Sequence, residues 1–423
     1  MPLAPRGVVS SALLALLLLL VAAALVTADE PAAGAAPAAA WQGPAAGHGL
    51  RLRAVPKYPT DLGCAQGSAK VSSADGLHDA LTAHRDACVI APVGDVEIEN
   101  LGDLSGVIVS SEGSGSLGAI DLEDTTGLTI RGARFRSIEI RQADDTKLFG
   151  NKIGGTPSHR VYDQLIFMPE RSDDVTIQGN DIGWTLADNS GNTGYGCRCY
   201  GETNGLRFIG NRVHDIAADG FQGTEGANVL IARNDIGPVG ANPGSDEHSD
   251  DIQMVSNGPG LRIVDNWIHN QGYFGGHLAN NSGSLYVHGG TGNPVLVENN
   301  LITENQGVTE ICGLGTGGTT RSNITIRLNT WIQGGLAYPN FPGFQWDCDG
   351  GSGNRIERNV AIDSDGGYST DDGGGSAADF SENIWTYTGK LKFDEHGNCL
   401  SARCNPKTGP IGFRSPPGTN FQP

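Results

Sequence analysis

A chain of 423 residues with 28 basic against 47 acidic side chains carries a formal net charge of −19. That balance argues against a nucleic-acid partner, which needs a basic stripe, and against unaided binding of a polyanion; bound cations or neutral substrates fit better. Glycine supplies 63 residues, well above the usual share of about 7 %, but no Gly-x-y period accompanies it, so collagen is excluded.

The N-terminus reads as a secretory signal over residues 1–28. Arg6 gives the positive end, residues 8–26 are nearly all apolar, and Val26-Thr27-Ala28 resembles a cleavage site. An uncleaved membrane anchor is the other reading of that run. Residues 29–60 form an Ala/Pro-rich spacer, expected to lack order. Nothing later is apolar enough to span a bilayer, so no membrane association is expected after cleavage. The expected location is extracellular, which permits disulfides. Eight cysteines allow Cys64 with Cys88, Cys312 with Cys348, and Cys399 with Cys404. Cys197 and Cys199 are left over. A bridge between residues so close is strained, and a zinc site lacks a CxxC or a nearby His pair.

Residues 73–87 read as a helix, with Ser73 as its cap and Leu77 and Leu81 on one face. A strand at 88–91 follows. A short amphipathic helix ahead of the first strand suits the end cover of a stack.

From there one phrase keeps returning: apolar, any, apolar, two of anything, Asn, any, apolar. It occurs at 175–182 (VTIQGNDI), 206–213, 229–236, 261–268, 295–302 and 324–331. Looser copies end at Ile153, Ala361 and Trp385, and an early copy, 128–135, has Ala133 in place of Asn. Anchored on the second apolar residue, the copies sit at 130, 148, 177, 208, 231, 263, 297, 326, 356 and 380, spaced by 18 to 34 residues. Such a period calls for a solenoid or a propeller, and propeller blades are longer, about 40 to 50 residues. Within each phrase the apolar residues alternate as in a half-buried strand. The Asn falls at the bend, where it tolerates left-handed backbone angles and could form a ladder from coil to coil.

The coil length, the Asn turn and the helical cap resemble the right-handed parallel β-helix of the pectin-lyase-like superfamily of secreted polysaccharide-active proteins. The resemblance covers roughly residues 70–390, and it implies an all-β solenoid over 61–390 with an N-terminal cap helix. Residues 391–423 read as a disulfide-pinned tail.

In a stack, equal offsets on neighbouring strands lie about 4.8 Å apart. Aligning the second strand of each coil on Phe221, Ile252, Leu278 and Ile311 gives an outward column of Asp251, His277 and Glu310. Asp219, Asp250 and His248 flank it, and Gln222 and Gln253 stand beside it. Adjacent carboxyls push one another's pKa apart, and glycoside hydrolysis needs two of them about 5 to 9.5 Å apart. Polygalacturonase-like hydrolases carry Asp-Gly, Asp-Asp and Gly-His in successive coils. Asp219-Gly220, Asp250-Asp251 and Gly276-His277 are similar in order, but their flanking residues differ. Alginate epimerases carry Asp-Pro-His, which Asp246-Glu247-His248 resembles, with His248 as the implied base. No lysine lies between Lys152 and Lys390, which disfavours a lysine base. Asp246 and Glu247 are hard oxygen ligands suited to calcium, and Tyr273 and Trp346 could stack on sugar rings.

The expectation is a secreted monomer that cleaves a polysaccharide in a groove along the helix side, by hydrolysis. Elimination or C5 epimerisation of a uronate polymer is the alternative enzyme reading. A non-catalytic glycan-binding β-helix is the third.

Overall fold

The computed structural model describes residues 62–188, 193–240, 249–269, 283–288, 294–303, 308–312, 322–332, 344–346, 348, 351–362, 368–370 and 378–385. The expected signal and spacer, the tail with Cys399 and Cys404, and the loops carrying Asp246, Glu247, His248, Tyr273 and His277 lie outside them.

The chain winds as a right-handed parallel β-helix. Every strand ladder between neighbouring coils is parallel. The first face is a sheet of 13 described strands, from Ala69–Val71 to Ala378–Ser381. All ten anchors of the repeat phrase stand in one column there, from Ile130 through Leu148 and Ile177 to Ile356 and Phe380. The second and third faces hydrogen-bond as one sheet of 20 described strands. They are joined in the early coils by the long strand Arg134–Arg141. Its Phe135 pairs with Ile153 on the second face, and its Glu139 pairs with Phe167 on the third.

The helix α1 (Ala74–Thr82) buries Leu77 and Leu81 over the open end of the stack, and the Ser73 hydroxyl accepts from the Gly76 N–H at 3.1 Å. It ends five residues earlier than the expected span. His84 takes a left-handed φ of 49°, and the Arg85 and His84 N–H groups donate back to the Ala80 and Leu81 carbonyls. That pairing is a Schellman termination, with His84 in the position usually given to Gly.

The Asn ladder is present from Asn151 to Asn383. At each rung the side-chain oxygen accepts the backbone and side-chain N–H of the preceding Asn. Its own amide donates to the strand of the preceding coil, as Asn180 does to the Leu148 carbonyl at 2.9 Å. Ala133 stands at the ladder's start, its N–H bonded to Asn151 Oδ1. One detail differs from expectation: the left-handed residue is the one before each Asn. Gly150, Gly179 and Gly210 fill that place early on, and Arg233, Asp265, Leu328 and Arg358 fill it later with φ of 56° to 60°. Away from glycine that angle costs about 1–2 kcal/mol, a strain held in place by the ladder on either side.

The disulfides Cys64–Cys88 and Cys312–Cys348 both form. Among the described residues no helix is long and apolar enough to cross a membrane.

Candidate functional site

Each coil adds one residue to the central register position of the third face. In register these are Glu97, Asp121, Glu139, Phe167, Arg198, Gln222, Gln253, Tyr286 and Glu310. This column differs from the sequence alignment. Ile252 pairs with Leu285 and not with Leu278, because the chain between them is longer than the apolar pattern suggested. Ile311 then falls in the column of Met254 and Val287, so Glu310 takes the register position of Gln253, not that of Asp251.

Asp251 does not face outward. Asp250 and Asp251 are both 0 % exposed and Asp219 is 1 % exposed. These residues precede their strands, at the bend from second to third face, where two-residue alternation does not hold. The Asp219 carboxylate accepts the Asp250 N–H at 2.8 Å, and the Asp250 carboxylate accepts the Gly283 N–H at 2.6 Å. The recurring Asp is therefore a second ladder, running opposite to the Asn ladder: here the earlier coil's side chain accepts from the later coil's backbone. Trp346, expected as an exposed stacking platform, is 1 % exposed and sits in the inner column with Ile311.

Gln222 and Gln253 do meet. Gln222 donates to Asp219 at 2.8 Å and to the Gln253 side-chain oxygen, and it accepts the Tyr200 hydroxyl at 2.5 Å. Arg198 donates to that hydroxyl at 2.8 Å and lies over both the Tyr195 and Tyr200 rings.

Toward the N-terminal end the same face opens into a cleft of ≈ 690 Å³. Its lining includes Asp75 and His78 of α1, the outward residues Glu97, Asp121 and Glu139, and Tyr162, Asp163 and Phe167. Asp121 and Glu139 stand opposite one another on adjacent strands, and their side chains keep 34 % and 37 % of their surface, enough for a ligand to reach. Arg141 contacts Asp121 at 2.8 Å, Glu123 at 2.6 Å and Glu139 at 3.5 Å. Burial pushes the Glu139 carboxyl above its ordinary value, Arg141 opposes this, and the carboxylates of Asp121, Glu123 and Glu170 add to it. Asp163 is also raised, by burial first and by Asp95, against the pull of Arg136. The oxygens of Glu99, Asp121 and Glu123 lie within 4.8 Å of one another, close enough to share a divalent cation, although the single positive charge of Arg141 already contacts two of those carboxylates.

A second cluster lies on the second face. His214 Nε2 is 2.8 Å from Asp181 and its Nδ1 is 2.9 Å from Asp215, whose other oxygen meets Arg160 at 3.1 Å. A neutral imidazole has one N–H, so two carboxylate partners select the imidazolium. Burial alone would lower the His214 pKa, but the hydrogen bonds to Asp181 and Asp215 outweigh it and the net shift is upward. Asp181 is shifted down: burial would raise it, and the His214 bond and charge prevail. With only 6 % of its side chain exposed, His214 reads as a structural ion pair. A His214→Gln variant should lose about 2 kcal/mol, the scale of a charge-assisted hydrogen bond. The gap should be widest between pH 4 and 6.5. Below it Asp181 protonates; above it His214 deprotonates as pH rises through its raised folded value. Denaturation at pH 6 and pH 9 checks this, and an equal gap at both would rule the charged pair out.

No protein-family model and no curated protein sequence matches the chain. Among solved structures it is similar to the surface adhesin PfbA of Streptococcus pneumoniae, at TM-score 0.40 and 11 % identity, over 78 % of this chain and 91 % of that one. It is also similar to the Dettilon tailspike protein gp208, at TM-score 0.35 and 13 % identity, over 77 % of this chain and 70 % of that one.

Proposed function

We propose that the protein is an exported carbohydrate-active β-helix that hydrolyses a glycan in the N-terminal cleft of its third face, with Glu139 as proton donor and Asp121 as partner carboxylate. The observation that carries this is the registered pair itself. The two outward carboxyl residues are directly opposite on strands about 4.8 Å apart, a spacing that lets their carboxyls take up the ~5–5.5 Å separation of retaining glycosidases. One of them is held toward its acid form by burial, the division of labour that glycoside cleavage requires. Tyr162, 57 % exposed, and Phe167 offer ring faces to a sugar beside them. Six carboxyls line the cleft: Asp75, Asp95, Glu97, Asp121, Glu139 and Asp163. Such a field repels uronates and admits neutral or amine-bearing sugars. The alternative of elimination or epimerisation on a uronate polymer fits this cleft less well. Beyond the cleft the same outward column continues through Arg198, Gln222 and Gln253, whose hydrogen bonds run to Tyr200, Asp219 and one another. Binding without cleavage is the second reading, favoured by the Arg141 contacts that occupy Asp121.

A panel of neutral, amine-bearing and uronate polysaccharides, assayed for new reducing ends and for ultraviolet absorbance with and without EDTA, separates these readings. Reducing ends without absorbance, from a neutral or amine-bearing polymer, are expected. A rise in absorbance on uronates would mean elimination and would sink the hydrolytic proposal. Retention on a polymer with no product would favour the binding module.

A further inference from the structure

Cys197 and Cys199 lie on the short strand Cys197–Cys199 of the third face, on either side of Arg198. Residues two apart on a strand point the same way, and here they point inward: Cys197 is 0 % and Cys199 3 % exposed. They fill the two inner columns of the face, Cys197 between Ile166 and Phe221, Cys199 between Met168 and Gly223. Their sulfurs are 3.0 Å apart. Carbon pairs rest at about 3.5–4.0 Å, and sulfur is larger, so two thiols at this distance are pressed inside contact. A thiol is too weak a donor to account for so close an approach. A bridge this short strains the strand, because disulfides need Cβ atoms within about 3.5–4.5 Å and parallel side chains must turn toward one another to reach that; the close sulfur approach shows the two side chains already turned that way. The chain already carries two bridges, Cys64–Cys88 and Cys312–Cys348, as expected of a protein that folds where thiols are oxidised.

We infer that Cys197 and Cys199 form a third disulfide in the mature protein. The reaction is exchange with a donor disulfide, either a small molecule or an oxidase. One cysteine thiolate attacks a donor sulfur and forms a mixed disulfide, and one donor thiolate leaves. The second cysteine thiolate then attacks the protein sulfur of that mixed bond and expels the other donor thiolate. Two protein thiols are oxidised, one donor disulfide is reduced to two thiols, and the two protons pass from the cysteines to the donor. The exchange belongs to folding, before the neighbouring coils stack. Once buried, the pair is closed to a donor, and burial with the neighbouring Cys197 pushes the Cys199 thiol well above its ordinary value, away from the reactive thiolate. The finished bridge closes a ring around the backbone of Arg198, the residue whose guanidinium lies against Tyr195 and Tyr200.

Trypsin reads this bridge directly, because Arg198 lies inside it. Cleavage after Arg171, Arg198 and Arg207 gives the peptides 172–198 and 199–207, each with one cysteine. The protein should be exported to an oxidising compartment, denatured with an alkylating agent and no reductant, and digested. The expected product is the two peptides joined, two hydrogen masses lighter than their sum and separated by added reductant. A Cys197→Ser variant should release 199–207 with Cys199 alkylated. Two separately alkylated peptides from the exported wild-type protein would overturn the inference. So would either peptide joined to one carrying Cys399 or Cys404. The same digest of protein refolded from the reduced, unfolded state with a disulfide donor should give the joined pair again; failure to do so would also count against it.

Discussion

Replacing Asn234 with alanine is expected to cost about 3–6 kcal/mol of folding stability, a large share of the ~5–15 kcal/mol that folded chains possess. The Asn234 side chain makes four hydrogen bonds inside the stack. Its oxygen accepts the Asn211 backbone N–H at 2.9 Å and the Asn211 amide at 3.1 Å. Its amide donates to the Phe208 carbonyl and to Asn266 Oδ1, both at 2.9 Å. Asn234 is 0 % exposed, so no water replaces what alanine removes, and each stranded partner costs about 1–3 kcal/mol. Aspartate should be no better. It keeps the accepting oxygen but turns a second oxygen toward the Phe208 carbonyl and Asn266 Oδ1, which need a donor. Urea denaturation of the wild type and both variants measures the loss. A shift worth under 1 kcal/mol for Asn234→Ala would mean that the ladder follows the fold without supporting it.

That ladder was legible in the sequence because it is periodic twice over. The apolar pair sets the inward direction, and the Asn marks the bend, so ten anchors could be placed in register with no structure at hand. The second ladder was visible too, but its meaning was not. Asp219 and Asp250 recur at the same bend, and recurrence of a carboxylate looks the same in one dimension whether it serves a groove or caps a backbone N–H. Alternation, the rule used to turn Asp251 outward, holds only inside a strand, and Asp251 is one residue short of Ile252–Met254. The stronger signal lay upstream. Val96-Glu97-Ile98-Glu99, Ile120-Asp121-Leu122-Glu123 and Ile138-Glu139-Ile140-Arg141 alternate cleanly in three successive coils. These strands are long enough for the rule to apply, and stacking them puts Glu97, Asp121 and Glu139 in one outward row. They were overlooked because they stand ahead of the regular Asn phrases, where coil lengths are still uneven.

The same distinction separates two substitutions that look alike on paper. Glu139→Gln should reduce glycan hydrolysis by about 10²- to 10⁴-fold, the usual contribution of a positioned general acid, while leaving the fold intact, since this side chain is outward and 37 % exposed. Glutamine keeps the shape and the reach toward Arg141 but has no proton to give to the leaving oxygen. The wild-type rate should fall as pH rises through the raised Glu139 value, because the protonated form is the active one; the variant's residual rate should lack that limb. Asp250→Asn should act the other way. The amide oxygen of asparagine can still accept the Gly283 N–H, so turnover per folded molecule should stay within about two-fold. Asp250→Ala, which removes the acceptor, should cost about 1–3 kcal/mol of stability. Reducing-end assays at matched folded concentration, with a thermal melt for each variant, decide the matter. If Asp250→Asn is dead and folded while Glu139→Gln is active, the chemistry belongs to the buried bend, and the N-terminal cleft is only a surface feature of the cap.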